Sequence, residues 1–331
     1  MKRILLGAVV AALFATACSS SDDASLTLYS GRSEDLVQPV IDAFVDATGI
    51  QVTVKYAGSA DLAATILEEG DASPADVFFA QDPASLGTIA EAGLFDTLDD
   101  DLLGRVPDRF SDDAGQWVGT SGRARVVVYD STVLNDADLP ATEDPFANPG
   151  WAGRVAIAPT NGSFLAFVAT KILVDGRDAT LTWLEGMAAN DAPAYPNNSS
   201  IVAAVNAGEI QAGLVNHYYL LRALAENPDE IGVNYFFEEP TAGSLVMPAG
   251  AGILASSTHK DAARRFVAWL LNESSQRYFA DETFEYPLVP GIPANAVLPP
   301  IDRIPTPELN LSDLAGVLDT ATDLVAEAGL L

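Results

Sequence analysis

The sequence predicts an α/β protein of two lobes, each a mixed sheet flanked by helices, with the ligand held in the cleft between them. Three observations carry this. Strand and helix patterns alternate from residue 26 to residue 93. The alternation resumes after residue 117 with a strand long enough to leave one lobe and enter another. The chain of 331 residues is ample for two cores.

Leu26–Ser30 (LTLYS) reads as a strand. Ser33 then caps a helix that turns Leu36, Val37, Val40, Ile41 and Phe44 to one face and stops at Gly49. Ile50–Tyr56 alternates with the period of two that a strand requires. Ser59 opens a second helix, which stops at Gly70. Asp76–Ala80 is a short buried-type strand, and Asp82-Pro83 is a cap with a first-turn proline for a third helix closed by Gly93. Trp117–Asp130 is the long strand, followed by a Pro- and Gly-rich stretch over 140–153. Arg154–Ala158 is a strand, and 163–175 and 178–190 are helical. Ser199 or Ser200 caps a helix to Gly208, and Ile210–Asn216 is a strand that runs into Tyr218-Tyr219. Ala251–Ala255 is a strand, Thr258 caps an amphipathic helix through Leu271, and 312–328 is helical. This assigns 26–122 and 249–293 to lobe 1, and 123–248 and 294–331 to lobe 2.

An apolar content of 49% with 19% charged residues marks an ordered chain. Basic residues number 17 against 46 acids, a net charge of −29 that repels phosphate backbones and argues against nucleic acid as a partner. Met1-Lys2-Arg3 and the apolar run 4–15 are too short and too terminal for a spanning helix. With Thr16 and Ala17 before Cys18 they resemble a bacterial lipoprotein signal, although Ala15 stands where leucine is usual. The expectation is a signal over 1–18 ending at a lipidated Cys18, a flexible tether over 19–25, and membrane contact only through the lipid anchor. Cys18 is the only cysteine, which excludes disulfides, thiolate metal sites and cysteine nucleophiles from the folded part.

Ligands of open α/β sheets sit beyond the carboxyl ends of strands. Four polar segments stand at such points: Gly31-Arg32-Ser33, Gln81-Asp82, Thr160–Ser163 and Asn216–Tyr219. In the last, two adjacent phenols lie at a strand-to-helix junction, where both can reach one point. Phenolate is a hard anionic oxygen suited to a hard, highly charged cation, and ionising a phenol of pKa ~10 at neutral pH needs such a cation nearby. A tyrosine pair also arises in ordinary amphipathic packing, so the pair alone leaves both readings open. Asn161, Gly162 and Ser163 lead into a helix whose free N–H groups favour an oxyanion, or they are an ordinary cap. Asn198 and Asn216 could add amide donors to the same anion. Arg32, Arg123 and Arg125 are expected to be structural, or else to offset cleft charge or hold the anion. His217 is expected to face away from at least one tyrosine, His259 to lie at the surface, and Glu34 to be a first-turn helix acid.

Five segments, 26–52, 73–95, 117–130, 153–164 and 197–222, make the chain resemble the bacterial ferric-iron-binding proteins of ABC transporters, the periplasmic "bacterial transferrins". The resemblance covers almost the whole mature chain, and its most specific block contains Asn216-His217-Tyr218-Tyr219. It implies a two-lobe periplasmic-binding-protein (Venus flytrap) fold and a binding protein, not an enzyme. It implies capture of Fe3+ with a synergistic anion, carbonate or phosphate, by an exported, periplasmic or cell-surface monomer that delivers to an ABC permease. Tyr218 and Tyr219 are then the metal ligands, and Asn161, Gly162, Ser163, Asn198 and Asn216 the anion donors. Ser33 stands where some members carry a histidine ligand, Gln81 where they carry glutamate, and Phe164 where another branch has a third tyrosine. Asp82 stands at a further anion contact where the family can have Gln, and an aspartate there repels an anion. Ser33, Gln81, Asp82 and Arg123 therefore remain only as cleft contacts, with exogenous oxygen from carbonate, phosphate, citrate or water completing the metal. The same fold binding another metal, a metal chelate, an anion or a small organic solute is the alternative. An exported hydrolase is the weakest reading, since there is no G-x-S-x-G, no H-E-x-x-H and only two histidines.

Overall fold

The computed structural model describes residues 25–331. The signal, Cys18 and the tether up to residue 24 lie outside the described residues. Ser25, expected in the tether, is already paired with Gln51 as the first residue of a strand, β1 (Ser25–Ser30).

After β1 come α1 (Glu34–Thr48), β2 (Gln51–Tyr56), α2 (Ser59–Glu69), β3 (Val77–Ala80), α3 (Pro83–Glu91) and the single turn α4 (Asp100–Leu103). Local chemistry accounts for them. Helix α1 buries the five predicted apolar residues and ends at Gly49 in the left-handed conformation, φ 75°. Asp82 accepts a hydrogen bond from the Ser85 amide at 2.8 Å, the expected cap of α3. β4 (Val118–Asp130) is buried from end to end. Then follow β5 (Val155–Ala156), α5 (Gly162–Asp175), α6 (Arg177–Ala189), α7 (Asn198–Asn206), β6 (Ala212–Asn216), α8 (Tyr218–Glu226) and β7 (Gly232–Tyr235). The chain returns through β8 (Val246–Ile253), α9 (Lys260–Leu270), α10 (Glu273–Asp281) and β9 (Tyr286–Pro287), and ends in α11 (Leu318–Glu327).

Strand pairing explains the two lobes. β1 runs parallel to β2 and β3, and β3 pairs antiparallel with β8. β8 pairs antiparallel with Val118–Ala124 of β4. From Arg125 onward β4 pairs instead with β6, and further on with β7, while β5 lies parallel to β6. One strand therefore belongs to two sheets and changes partner between Ala124 and Arg125. The helices cover the sheet faces, and a separate small core of Val126, Val128, Ile201, Val205, Val215 and Leu220 fills the far side of the second sheet.

Several boundaries differ from expectation. Asn197, not Ser199 or Ser200, caps α7 by accepting from the Ser200 amide at 2.9 Å, so Asn198 is the first helical residue. Helix α9 begins after His259, without a side-chain cap, and not at Thr258. β8 starts at Val246 because Pro248, Gly250 and Gly252 hide a strand pattern that the sheet imposes. β7 and α10 were not expected from the pattern. The C-terminal segment, assigned to lobe 2, touches both lobes. A Cβ on Gly87 of α3 would lie 2.8 Å from Ala315, while Arg177 of α6 pairs with Glu327 of α11 at 2.8 Å.

One close approach shapes the cleft wall. A Cβ on Gly31 would lie 2.1 Å from Ser59 Oγ and 2.9 Å from Ser59 Cα, so glycine lets the start of α2 meet the end of β1. Ser59 Oγ in turn accepts from the Gln81 amide at 2.8 Å. Gly31→Ala is expected to destabilise the protein by about 1–3 kcal/mol through overpacking, read as a lowered urea midpoint at constant slope.

Candidate metal centre

β6 ends at Asn216, and the chain turns at His217 into α8, whose first residues are Tyr218 and Tyr219. The two rings stack with centroids 4.2 Å apart and planes 28° from parallel. Tyr218 is fully buried and its hydroxyl has no hydrogen-bond partner among the described residues; Tyr219 is half-buried. Burial pushes the Tyr218 phenol well above its usual range, Tyr219 adds to this, and the guanidinium groups of Arg32 and Arg123 pull the other way. A neutral phenol is thus the resting state. Only a strongly charged cation can offset the cost of the buried phenolate.

His217 is not aimed at the phenol oxygens. The Ala124 amide donates to its Nδ1 at 3.1 Å, and its Nε2–H donates to the Phe284 carbonyl at 2.7 Å, which defines one neutral tautomer. Its ring meets Tyr218 edge-on at 6.0 Å. Burial lowers its pKa from 6.5 to about 4. A base depressed in the fold is neutral there, while the unfolded chain takes up a proton between pH 6.5 and about 4. Stability is therefore fully present above pH 6.5 and is lost as pH falls toward about 4. We expect this to remove roughly 2–3 kcal/mol of unfolding free energy over that window. Urea denaturation at several pH values should show the slope in wild type, and His217→Gln should flatten it.

The predicted anion donors converge. Asn161 caps α5, its Oδ1 accepting from the Ser163 amide at 3.1 Å and from Ser163 Oγ at 2.7 Å. Asn198 Nδ2 reaches Asn161 Oδ1 at 3.1 Å and Ser163 Oγ at 3.0 Å, while its Oδ1 accepts from the Asn216 amide at 3.0 Å. Arg125 stands opposite Asn216 in the β4–β6 register, and its NH1 reaches Asn216 Oδ1 at 3.3 Å and Ser163 Oγ at 3.4 Å. Asn216 Nδ2 and Arg125 NH2 are buried and have no hydrogen-bond partner among the described residues. A Cβ on Gly162 would meet nothing within 4 Å, so the backbone at the start of α5 is open to a ligand.

The remaining cleft positions divide. Gln81 and Asp82 line a cavity of about 250 Å³ with Gly31, Ser59, Asn161 and Gly162, drawn from both sheets. Asp82 spends its carboxylate on the cap of α3, with Ser85 donating through both its amide and its hydroxyl. Burial raises its pKa, and its bonds to Ser85 and the charge of Arg123 oppose the rise. Ser33 is exposed at the start of α1 and makes no cap bond. Phe164 is buried. Arg222, one turn beyond the tyrosines, bridges the cleft mouth to Asp35 of α1 at 2.7 Å.

The group that sequence reasoning missed is Glu285. It is wholly buried and pairs with Arg32 at 2.8 Å, following Phe284, whose φ is 58°. One acid between two aromatic residues gave no signal, because its partner lies 253 residues away. Two buried arginines, Arg32 and Arg123, and the Glu285 carboxylate lie close enough to Tyr218 to act on its charge, and Arg125 lies beside Tyr219. Arg32, Arg123 and Arg125, expected to be structural, leave six side-chain nitrogens unpartnered among the described residues. Glu143, Asp144 and Asp175 also converge, but the Lys171 ammonium already sits among them at 3.2, 2.5 and 2.7 Å and pairs with each.

Two α/β lobes joined by the shared strand β4, with polar groups of both turned into one cleft, define the two-lobe periplasmic-binding-protein fold of a solute-binding protein. The chain belongs to the family of bacterial extracellular solute-binding proteins, whose model matches residues 72–303. It is 36% identical over 335 residues to the major ferric iron-binding protein of Neisseria meningitidis serogroup B, covering 100% of both chains. It is 34% identical over 317 residues to the Fe(3+)-binding periplasmic protein of Serratia marcescens, covering 95% of this chain and 93% of that one. The structure superposes on iron-bound HitA from Pseudomonas aeruginosa with a TM-score of 0.88 at 34% identity, over 92% of this chain and 99% of that one.

Proposed function

We propose that the protein captures ferric iron in its interlobe cleft, with Tyr218 and Tyr219 as ligands and a synergistic oxyanion, carbonate or phosphate, completing the sphere. The observation that carries this is the stacked phenol pair at the strand–helix junction, with the Tyr218 hydroxyl buried and without a partner among the described residues. Phenolate is a hard donor matched to Fe3+, and burial makes its ionisation conditional on such a cation. The iron-binding names of the relatives support the same reading. Asn161, Gly162, Ser163, Asn198 and Asn216 hold the anion beside the metal, and Arg125 adds charge to that notch. With Ser33 exposed and Gln81 in place of a carboxylate, oxygen from outside the protein fills the remaining coordination places.

Closure brings the lobes together over the metal, and the Arg222–Asp35 pair steadies the closed form. The loaded form is delivered to an ABC permease. The protein works outside the cytoplasm as a monomer tethered by lipid at Cys18, supported by the segment 1–18. Titration with Fe3+ in defined carbonate, phosphate and anion-free buffers tests the reading. A visible tyrosinate-to-iron band should appear, with much weaker binding when no anion is supplied. Absence of the band, or equal affinity with and without anion, would overturn it. The second reading, an anion or chelate bound without tyrosinate, is favoured by the buried arginines and would give binding without the band.

A further inference from the structure

Ala124 lies in a gap between strands. Along β4, β9 pairs at Ser121 and Gly122, and β6 pairs only from Arg125 onward. His217 fills the gap. Its backbone N–H donates to the Ala124 carbonyl at 3.0 Å, and its ring Nδ1 accepts from the Ala124 amide at 3.1 Å. The imidazole thus stands in for a missing rung of the sheet, and no backbone group of Ala124 is left for water that cannot reach it. Its Nε2–H donates to the Phe284 carbonyl at 2.7 Å, two residues before β9. Both ring bonds go to lobe 1, since Ala124 pairs with Val246 of β8, and β9 pairs with the same half of β4. The backbone of His217 belongs to lobe 2. It follows β6, and its carbonyl accepts from Asn234 of β7 at 2.7 Å.

The lobes meet at this residue, and the contact is built to last through their motion. β4 changes partner at the Ala124–Arg125 peptide, and the Arg125 amide still reaches Leu245, just before β8. A rotation of one lobe against the other separates contacts in proportion to their distance from the axis. His217 is wholly buried, so a ring bond broken on opening would leave a polar group unsatisfied away from water. Phe284 holds the left-handed conformation, φ 58°, and a fold keeps such a strained residue only where surrounding contacts over-determine it.

We propose that His217 is the pin on which the cleft turns. Its ring fixes the start of α8, and with it Tyr218 and Tyr219, to lobe 1 beside the axis, so the two phenols keep one geometry whether the cleft is open or closed. His217 is a positioning residue, acting on the metal through the tyrosine peptide-bonded to it, and this role rests on the phenol–iron reading. Capture then begins on a preformed phenol pair, and closure moves the other cleft groups toward it.

Two experiments test the pin. The first uses wild type and reads amide exchange in the metal-free protein and in protein loaded with Ga3+, a diamagnetic trivalent ion. The Ala124 amide should be protected to within about tenfold of the Val127 amide, inside the paired part of β4, in both forms. Exchange at Ala124 more than about 100-fold faster than at Val127 in the metal-free protein would show that the ring lets go on opening, and would end the proposal. The second uses His217→Ala. Its iron-loaded form should have a shifted, broadened tyrosinate band and should release iron to a competing chelator roughly 10- to 100-fold faster than wild type, the size usual for a group that holds a metal ligand in place. Imidazole added to the variant should restore both. 1-Methylimidazole, which can accept from Ala124 but cannot donate to Phe284, should restore neither, although it ligates iron as readily. An unchanged band and release rate in the variant, however far its urea midpoint falls, would reduce His217 to packing, and equal rescue by the two imidazoles would remove the tie to Phe284; either overturns the pin. If wild type itself shows no band, the phenol–iron reading fails alone, and exchange at Ala124 in the metal-free protein still decides whether the ring stays bound.

Discussion

Replacing Tyr218 with phenylalanine is expected to remove most of the visible band of the iron-loaded protein and to weaken Fe3+ binding by more than about 100-fold. Loss of a group that merely hydrogen-bonds a metal ligand costs roughly 10–100-fold, and loss of the ligand itself should exceed that. The metal-free fold should respond in the opposite sense. The Tyr218 hydroxyl is buried without a partner among the described residues, so deleting it removes an unsatisfied polar group and leaves stability unchanged or slightly raised. Loss of binding at undiminished stability is the signature of a ligand and not of a packing residue. The measurements are a ferric titration followed by absorbance, and a urea melt of the metal-free variant. Retained colour and affinity would refute the site.

Glu285→Gln is expected to have the largest effect on stability, a loss of about 3–5 kcal/mol. Its carboxylate is the partner of Arg32 and its negative charge also acts on Arg123. With it neutral, Arg32 joins Arg123 and Arg125 in facing no paired anion, and breaking one half of a buried pair leaves the other half uncompensated. Added carbonate or phosphate should recover part of the loss, because an anion that binds only the folded protein stabilises it by mass action. Chemical denaturation of the variant with and without anion reads both effects. An unchanged urea midpoint would show that Glu285 does not hold the arginines in place.

Much of this was legible in the sequence, for local reasons. The α1 stripe, the Gly49 stop, the Asp82-Pro83 cap and the long strand over residues 118–130 depend on residues a few positions apart, and each lies where the pattern placed it. The strand–helix junction at Asn216–Tyr219 was visible in the same way, and the rings do face one another. The misses are also physical. β8 carries one proline and two glycines that a strand accepts only because β3 and β4 hold it on both edges. Asn197 outcompeted Ser199 and Ser200 as a cap because its side chain reaches the Ser200 amide. The arginines could not be assigned because a guanidinium on a strand carries no sign of whether its partner lies across the lobe or nowhere.

By itself the sequence determined the alternation of strands and helices, the absence of thiol chemistry in the folded part, and the two adjacent phenols beside a helix start. Those are properties of near neighbours along the chain, and covalent proximity enforces them. The tertiary structure alone decided which charges meet. It set Glu285 against Arg32 from 253 residues away, brought Asn161, Asn198 and Asn216 to one point, and left Arg123 buried without a hydrogen-bond partner among the described residues. Coulomb energy depends on distance through space and on exclusion of water, and neither is written in the order of residues.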